Sequence, residues 1–135
     1  MCGSSERPGA TLFDSDVVIW ALRAHAGALH VLEGQDDRKL ALASYLEILQ
    51  GARNRAEQRL IQSFLRDHDF QTLPLTQAIG HRAAVYMEEF GLSSALSAMD
   101  ALIAASAVES GEVLCTGNRK HFAMIPDLEL KLFRP

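Results

Sequence analysis

The sequence has few cysteines, no long apolar run and no excess of positive charge. Its two cysteines, Cys2 and Cys115, lie far apart in the 135-residue chain. A disulfide framework is therefore not expected. We expect a cytoplasmic protein with reduced thiols. The longest apolar stretch in the C-terminal half covers residues 101–105 and extends to 108. It is much shorter than the roughly 20 residues that span a bilayer, so no membrane helix is predicted.

The formal net charge is −4, from 13 basic and 17 acidic side chains. A uniformly basic nucleic-acid binder is excluded, although a local basic patch is not. The length and the 48% hydrophobic content fit one compact domain. We expect residues 11–135 to form it. Residues 1–10 combine Gly, Ser, Pro and charge without the apolar core of a secretory signal, so they are interpreted as a mobile leader.

Short apolar runs alternate with segments of helical periodicity, which predicts an α/β domain with a largely parallel sheet. Pro74 indicates that the third strand lies at an edge of the sheet. The helix at 97–110 has almost no polar face and should lie in the middle of the structure. Strands are predicted at 11–14, 40–43, 70–75, 113–116 and 128–133, and helices at 16–24, 28–34, 44–51, 54–67, 77–90 and 97–110, with a charged break at 35–39.

Polar side chains follow four of the predicted strands or begin the next helix: Asp14, Glu47, Asp100 and Asn118. In a parallel sheet the carboxyl ends of the strands share one edge, so these side chains should converge. Three carboxylates in one cleft repel each other, and a hard divalent cation such as Mg²⁺ or Mn²⁺ relieves that repulsion. The five histidines show no zinc-type spacing. Because such a cation activates water and neutralises phosphate charge, phosphodiester hydrolysis is a plausible chemistry.

Structural roles and a second chemistry remain open for the same acids. Ser44 with Glu47, and Ser97 with Asp100, match the capping-box spacing, and Asp14 fits a helix cap. The pair Asp14 and Asp16, followed by valine, also fits a haloacid dehalogenase-like phosphatase with Asp14 as nucleophile. That alternative lacks a downstream lysine with paired aspartates, and the chain is short for it.

Four segments resemble the motifs of the PIN-domain family, specifically VapC-type toxins of toxin–antitoxin pairs. In order along residues 11–135 they are FDSDVVI at 13–19, SYLE at 44–47 with Gly51, DALIAA at 100–105, and TGN at 116–118 with Phe122. The resemblance implies a three-layer α/β/α fold with five strands in the order 3-2-1-4-5. It also implies an Mg²⁺- or Mn²⁺-dependent ribonuclease, a VapB-type antitoxin whose tail blocks the cleft, and a homodimer.

The resemblance also assigns roles to individual residues. Asp14 and Asp100 would be the principal metal ligands, and Glu47 would complete the site directly or through water. Asn118 takes the fourth position, where many members carry aspartate, and it adds no charge. Two further residues, Thr116 and Ser44, would support the site.

Other residues near these motifs have two interpretations each. Asp16 is either a further acid of the cleft or a first-turn carboxylate favoured by the helix dipole. His121 is interpreted as a surface residue, with substrate contact as the alternative. Cys115 is expected in a buried strand, because nothing nearby would activate its thiol. Trp20 is expected in the core or at a dimer surface.

Local positive charge could hold RNA on this acidic protein. Residues 49–66 contain four arginines and one acid, and Arg53 lies two residues after Gly51. Arg119 and Lys120 follow the last motif. Both segments could guide a phosphate backbone to the site, or they could be ordinary solvated helix faces.

The preferred prediction is an endoribonuclease that cuts by water attack, leaves a 5′-phosphate and inhibits growth. The alternative is a catalytically weak RNA- or protein-binding module, which the uncharged Asn118 favours.

Overall fold

The computed structural model describes residues 10–135, in five strands and seven helices. The predicted leader at 1–10 lies outside the described residues except for Ala10, which begins the first strand. The strands are β1 (Ala10–Phe13), β2 (Asp37–Ala41), β3 (Phe70–Leu73), β4 (Val113–Thr116) and β5 (Leu130–Leu132). The helices are α1 (Ser15–Leu22), α2 (Ala26–Glu33), α3 (Leu42–Gln50), α4 (Arg55–Asp67), α5 (Gln77–Phe90), α6 (Ala98–Ser110) and α7 (Arg119–Phe122).

All five strands form one sheet in the order β3-β2-β1-β4-β5, and every neighbouring pair is parallel. The predicted fold class and strand order are confirmed. β3 lies at an edge of the sheet, and Pro74 follows it directly, as the proline predicts. Within residues 10–135, no helix combines the length and the apolar character needed to cross a membrane.

Alternating residues of the central strands point to opposite faces of the sheet, which makes three layers. Leu12 of β1 and Leu114 of β4 pack into a core with α5 and α6. Phe13 and Cys115, the next residue of each strand, pack into a second core with α1, α2 and α4. The carboxyl ends of β1 and β4 are thereby fixed from both sides.

The apolar helix α6 lies in the middle of the structure, as its composition predicts. Seven of the eight positions from Asp100 to Ala107 are buried. Gly111 ends the helix with φ 69°, a left-handed conformation that glycine adopts at little cost. The start of α6 is consequently held rigidly beside the sheet.

The second strand was predicted at 40–43 and instead begins at Asp37, so the prediction of a charged break at 35–39 is wrong there. The strand tolerates its charged residues because they have partners elsewhere in the chain. Arg38 Nε donates a hydrogen bond to the Leu32 carbonyl at 2.8 Å. Lys39 Nζ lies 2.6 Å from Glu112 Oε2. Neither partner can be recognised from the local sequence.

The start of α3 was also placed incorrectly. The helix begins at Leu42, its N-cap is Ala41, and no side chain caps it. The interpretation of Ser44 and Glu47 as a capping box is therefore wrong. Ser44 lies inside the helix, fully buried, and its hydroxyl has no hydrogen-bond partner among the described residues. The sequence also gave no indication of the short helix α7.

Candidate functional site

Asp14 lies between β1 and α1, where it caps the helix as its position predicts. Its Oδ1 accepts a hydrogen bond from the Ser15 backbone N–H at 2.7 Å. Its Oδ2 accepts one from the Thr116 hydroxyl at 2.7 Å. The side chain is only 4% exposed, and both of these partners are uncharged. Asp14 is thus a buried carboxylate whose charge is not neutralised by a neighbouring cation.

The surroundings of Asp14 disfavour its ionised form. Burial and the negative charge of Asp16 raise the pKa of Asp14 from 3.8 to about 7, although hydrogen bonds from Thr116 and Ser15 oppose the shift. Asp100 adds a smaller contribution in the same direction. Because charges act on each other in this way only at short range, the three acids share one region of the fold.

Glu47 of α3 reaches the same region and contacts the start of α1. The Ser15 hydroxyl donates a hydrogen bond to Glu47 Oε1 at 2.9 Å, and the same oxygen of Ser15 lies 3.4 Å from Asp14 Oδ1. Ser15 therefore connects the first two predicted site residues. The sequence did not single out Ser15 for this role.

The loop after β4 brings Asn118 to the site, but its amide faces another acid. Asp16 Oδ2 accepts hydrogen bonds from the Gly117 N–H at 2.9 Å and from Asn118 Nδ2 at 3.4 Å. The Asn118 backbone N–H donates to Thr116 Oγ1 at 3.0 Å. Burial raises the pKa of Asp16, and the Gly117 hydrogen bond opposes that effect. Asp16 lies in the first turn of α1, as expected, and also belongs to the acidic cluster.

Asp100 combines a structural and a site position. The predicted capping box is present, with Asp100 N–H donating to Ser97 Oγ at 3.1 Å and Ser97 N–H donating to Asp100 Oδ2 at 3.2 Å. His121 Nδ1 lies 3.1 Å from the same Oδ2. The sequence interpretation of His121 as a plain surface residue missed this contact. No local signal could have shown it, since the two residues come from different elements.

The residues proposed to contact RNA lie in different surroundings. Arg119 and Lys120 are exposed at the start of α7, directly after Asn118. Arg53 forms an ion pair with Glu57 at 2.6 Å, which partly neutralises its charge. The first pair is therefore better placed to meet phosphate than Arg53.

The remaining two interpretations are confirmed by the structure. Cys115 is fully buried in β4, and burial raises the pKa of its thiol to about 11, so the thiol stays protonated and unreactive at neutral pH. Trp20 of α1 packs against the core and lies edge-on to His25, with ring centroids 5.0 Å apart.

The donors at this edge fit a hard divalent cation. They are carboxylate and amide oxygens, and Asp16 Oδ1 is buried without a partner. Among residues 10–135, however, no three His, Cys, Asp or Glu side chains stand close enough together to hold an ion as they are. The fit therefore rests on the oxygen chemistry and on the uncompensated charge of Asp14. Binding an ion would require small side-chain movements.

A groove lies between α1, α3 and α4. Its volume is about 570 Å³. Its lining is mostly apolar and also includes Arg23, Arg53 and Glu57. Leu60 lines it and is 67% exposed, which is unusual for a large apolar side chain. The apolar lining consists of Ile19, Leu22, Ile48, Ala52, Leu60 and Ile61.

Comparison with protein-family models matches residues 11–127 to the PIN domain. The chain belongs to the PIN-domain family, whose members are generally nucleases. This membership confirms the resemblance seen in the four motifs. It also removes the haloacid dehalogenase-like phosphatase as an alternative, because the whole domain is accounted for by a different fold.

Solved structures of toxin–antitoxin complexes are similar to this chain. One is a toxin–antitoxin complex from Klebsiella pneumoniae, at 25% identity and TM-score 0.73, covering 93% of this chain and 97% of that chain. The DNA-bound VapBC of Salmonella typhimurium gives 16% identity, TM-score 0.78 and coverages of 92% and 98%. VapBC-1 of nontypeable Haemophilus influenzae has 19% identity and TM-score 0.74, and the match covers 90% of this chain and 96% of that chain. A search of curated proteins found no significant match.

Proposed function

We propose that this protein is an Mg²⁺- or Mn²⁺-dependent endoribonuclease and the toxin of a type II toxin–antitoxin pair. The observation that carries the proposal is the buried Asp14 carboxylate without a cationic partner, with Glu47 and Asp100 in the same region of the fold. Asp14 and Glu47 share the Ser15 hydroxyl, and Asp100 contributes to the raised pKa of Asp14. A buried acid with no cationic partner is costly to keep, which favours a functional reason for it.

The metal would be held by Asp14, Glu47, Asp100 and Asn118. When bound, it would neutralise phosphate charge and lower the pKa of an attacking water. Thr116 and Ser15 hold the Asp14 carboxylate in one orientation through their hydrogen bonds. His121, when protonated, supplies a positive charge beside Asp100. Ser44 is a buried residue of α3, the helix that carries Glu47. By anchoring this helix it would support the position of Glu47.

The RNA backbone would approach over Arg119 and Lys120. Both side chains are exposed and follow Asn118 in the chain, so a phosphate bound there would lie next to the acidic cluster. Positive side chains beside a metal-binding cleft attract phosphate even when the whole protein is acidic. Arg53 lines the groove between α1, α3 and α4.

Cleavage of a structured RNA in Mg²⁺ or Mn²⁺ tests the proposal. Wild-type protein should cut the RNA to products with a 5′-phosphate, and EDTA should stop the reaction. Asp100→Asn should lose the activity, while Glu88→Gln, which removes an exposed acid of α5, should keep it. Equal activity of wild type and Asp100→Asn would overturn the assignment.

We further propose that the groove between α1, α3 and α4 takes an apolar segment of the cognate antitoxin. The solved complex from Klebsiella pneumoniae supports a partner of this kind, and the two arginines that line the groove favour a segment that also carries acidic residues. The protein should co-purify with the small protein encoded next to it. Leu60→Glu should abolish co-purification and leave RNA cleavage intact, which shows that the variant is folded. Continued co-purification of the variant would contradict this role of the groove.

The second candidate is a catalytically weak binding module. It is favoured by the absence, within residues 10–135, of a preformed group of three metal-ligating side chains. It predicts no binding of Mn²⁺ at millimolar concentration and no RNA cleavage. The homodimer and the cytoplasmic location remain predictions, and light scattering tests the first.

A further inference from the structure

Asp16 connects two parts of the site that are about a hundred residues apart in sequence. Its Oδ2 accepts the Gly117 N–H at 2.9 Å and Asn118 Nδ2 at 3.4 Å. These are hydrogen bonds from the loop that follows β4 to the first turn of α1. The loop carries Asn118 and leads into Arg119 and Lys120.

Gly117 allows this close approach. A Cβ atom at this position would lie 2.8 Å from Asp16 Oδ2 and 3.3 Å from the Phe133 carbonyl oxygen. The first distance is shorter than real contacts of a Cβ, so with a larger residue the Asp16 carboxylate or the loop would have to shift, and either movement loosens the contact between them. Asp16 and Gly117 therefore act as a matched pair, in which the acid binds the backbone and the glycine leaves room for it.

The same contacts fix both ends of Asn118. Its backbone N–H donates to Thr116 Oγ1, and that hydroxyl donates to Asp14. Its side-chain amide donates to Asp16, which turns the carbonyl Oδ1 away from Asp16. An amide can ligate a hard cation only through this oxygen. The orientation of Asn118 thus depends on Asp16.

We propose that Asp16 is a positioning residue, which holds the Gly117–Asn118 loop so that the Asn118 carbonyl oxygen is available to the metal of the site. This inference rests on the proposed function for the metal, and on the hydrogen bonds alone for the loop. The alternative is that Asp16 itself ligates the ion, since its Oδ1 is buried without a hydrogen-bond partner among the described residues. The two roles give opposite results for Asp16→Asn.

Asparagine at position 16 retains one oxygen for Gly117 and Asn118 and removes the charge. If Asp16 positions the loop, Asp16→Asn should bind Mn²⁺ within about twofold of wild type. Asp16→Ala should weaken Mn²⁺ binding by roughly tenfold, the size of effect that outer partners of metal ligands have. Asn118→Ala should weaken it equally, and the double variant no further, because both changes remove the same interaction.

Amide hydrogen exchange of the metal-free protein provides a readout that does not depend on metal. Asp16→Ala should speed exchange at Gly117 by more than about tenfold, since its N–H loses the carboxylate that protects it. Asp16→Asn should leave it unchanged. Gly117→Ala keeps the carboxylate and should reproduce Asp16→Ala in both measurements, which guards against a variant that simply folds poorly.

Three results would overturn the inference. Asp16→Asn could lose Mn²⁺ binding as severely as Asp16→Ala, which would make Asp16 a ligand. Asp16→Ala could leave exchange at Gly117 unchanged, or the double variant could lose the sum of the two single losses. If wild-type protein binds no Mn²⁺, the proposed function fails, and the exchange rates still decide the positioning role of Asp16.

Discussion

Two buried acids, Asp14 and Glu112, lie at opposite ends of neighbouring strands of the same parallel sheet. Asp14 follows the carboxyl end of β1, and Glu112 precedes the amino end of its neighbour β4. They are 4% and 7% exposed. Glu112 forms an ion pair with Lys39 at 2.6 Å, whereas no ion pair found among residues 10–135 includes Asp14.

The comparison separates a structural acid from one that is available for a ligand. A buried charge is unfavourable unless a partner offsets the lost hydration, and Lys39 is that partner for Glu112. Asp14 has instead other acids as neighbours, and its burial together with their negative charge raises its pKa to about 7. A divalent cation at the carboxyl ends of the strands would offset the charge of Asp14, as Lys39 offsets the charge of Glu112 at the amino end.

The largest expected effect comes from neutralising Asp14. Asp14→Asn should lower RNA cleavage by at least about 100-fold, because it removes a metal ligand and outer partners alone are worth 10- to 100-fold. In EDTA the variant should be no less stable than wild type, since the lost charge was unpaired. Cleavage rates and melting temperatures check the two parts. A variant that unfolds several degrees earlier than wild type would show that Asp14 is mainly structural.

Breaking the ion pair at the amino end should have the reverse effect. Lys39→Met should destabilise the protein by about 3 kcal/mol, because Glu112 would be left as an unpaired buried charge. Cleavage at a temperature where the variant is folded should be unchanged. Urea unfolding measures the first effect. The double variant Lys39→Met with Glu112→Leu should recover much of the lost stability, and a failure to recover would mean that packing, rather than charge, is responsible.

The raised pKa of Asp14 also predicts that the stability of the protein depends on pH. In the absence of metal, the folded state binds a proton at Asp14 below about pH 7. The unfolded state binds this proton only below about pH 3.8. The free energy of unfolding should therefore fall as the pH rises from about 4 to 7. Melting temperatures in EDTA should decline by several degrees over this range.

Other groups titrate in this range as well, so the informative quantity is the difference between wild type and Asp14→Asn. The decline should be smaller in the variant. Parallel curves for the two proteins would contradict the raised pKa.

The smallest effect is expected at the basic residues beside the site. Replacing Arg119 and Lys120 by alanine should raise KM a few-fold and leave kcat almost unchanged, because both side chains would bind phosphate rather than the reacting atoms. The salt dependence of binding should become shallower. Arg53→Ala should change KM less, since Arg53 is already paired with Glu57. A larger effect at Arg53 would place the RNA on the other side of the cleft.

Local patterns predicted what depends on neighbouring residues. The cap at Asp14, the capping box at Ser97 and the buried helix α6 follow from short-range spacing and apolar content. The order of the strands followed from the resemblance to the PIN-domain family, not from periodicity. Gly111 at the end of α6 was likewise recognisable as a helix terminator.

Contacts between distant residues could not be predicted in this way. β2 begins three residues earlier than expected because Lys39 meets Glu112, 73 positions away. His121 meets Asp100, and Asp16 meets Gly117 across 101 positions. Each is a pairing of charged or polar groups that becomes favourable only once the sheet has formed. The caps and helix ends were therefore predictable from the sequence, whereas the hydrogen bonds between distant residues were not.

Titration of Mn²⁺ into wild-type protein and Asp14→Asn by calorimetry at pH 7.5 tests the central claim most directly. The claim is that the unpaired acids at the carboxyl ends of the strands form the cation site. Wild type should show saturable binding at millimolar concentration or below, Asp14→Asn should show little, and Glu112→Gln should bind like wild type. Equal binding by wild type and Asp14→Asn would contradict the account.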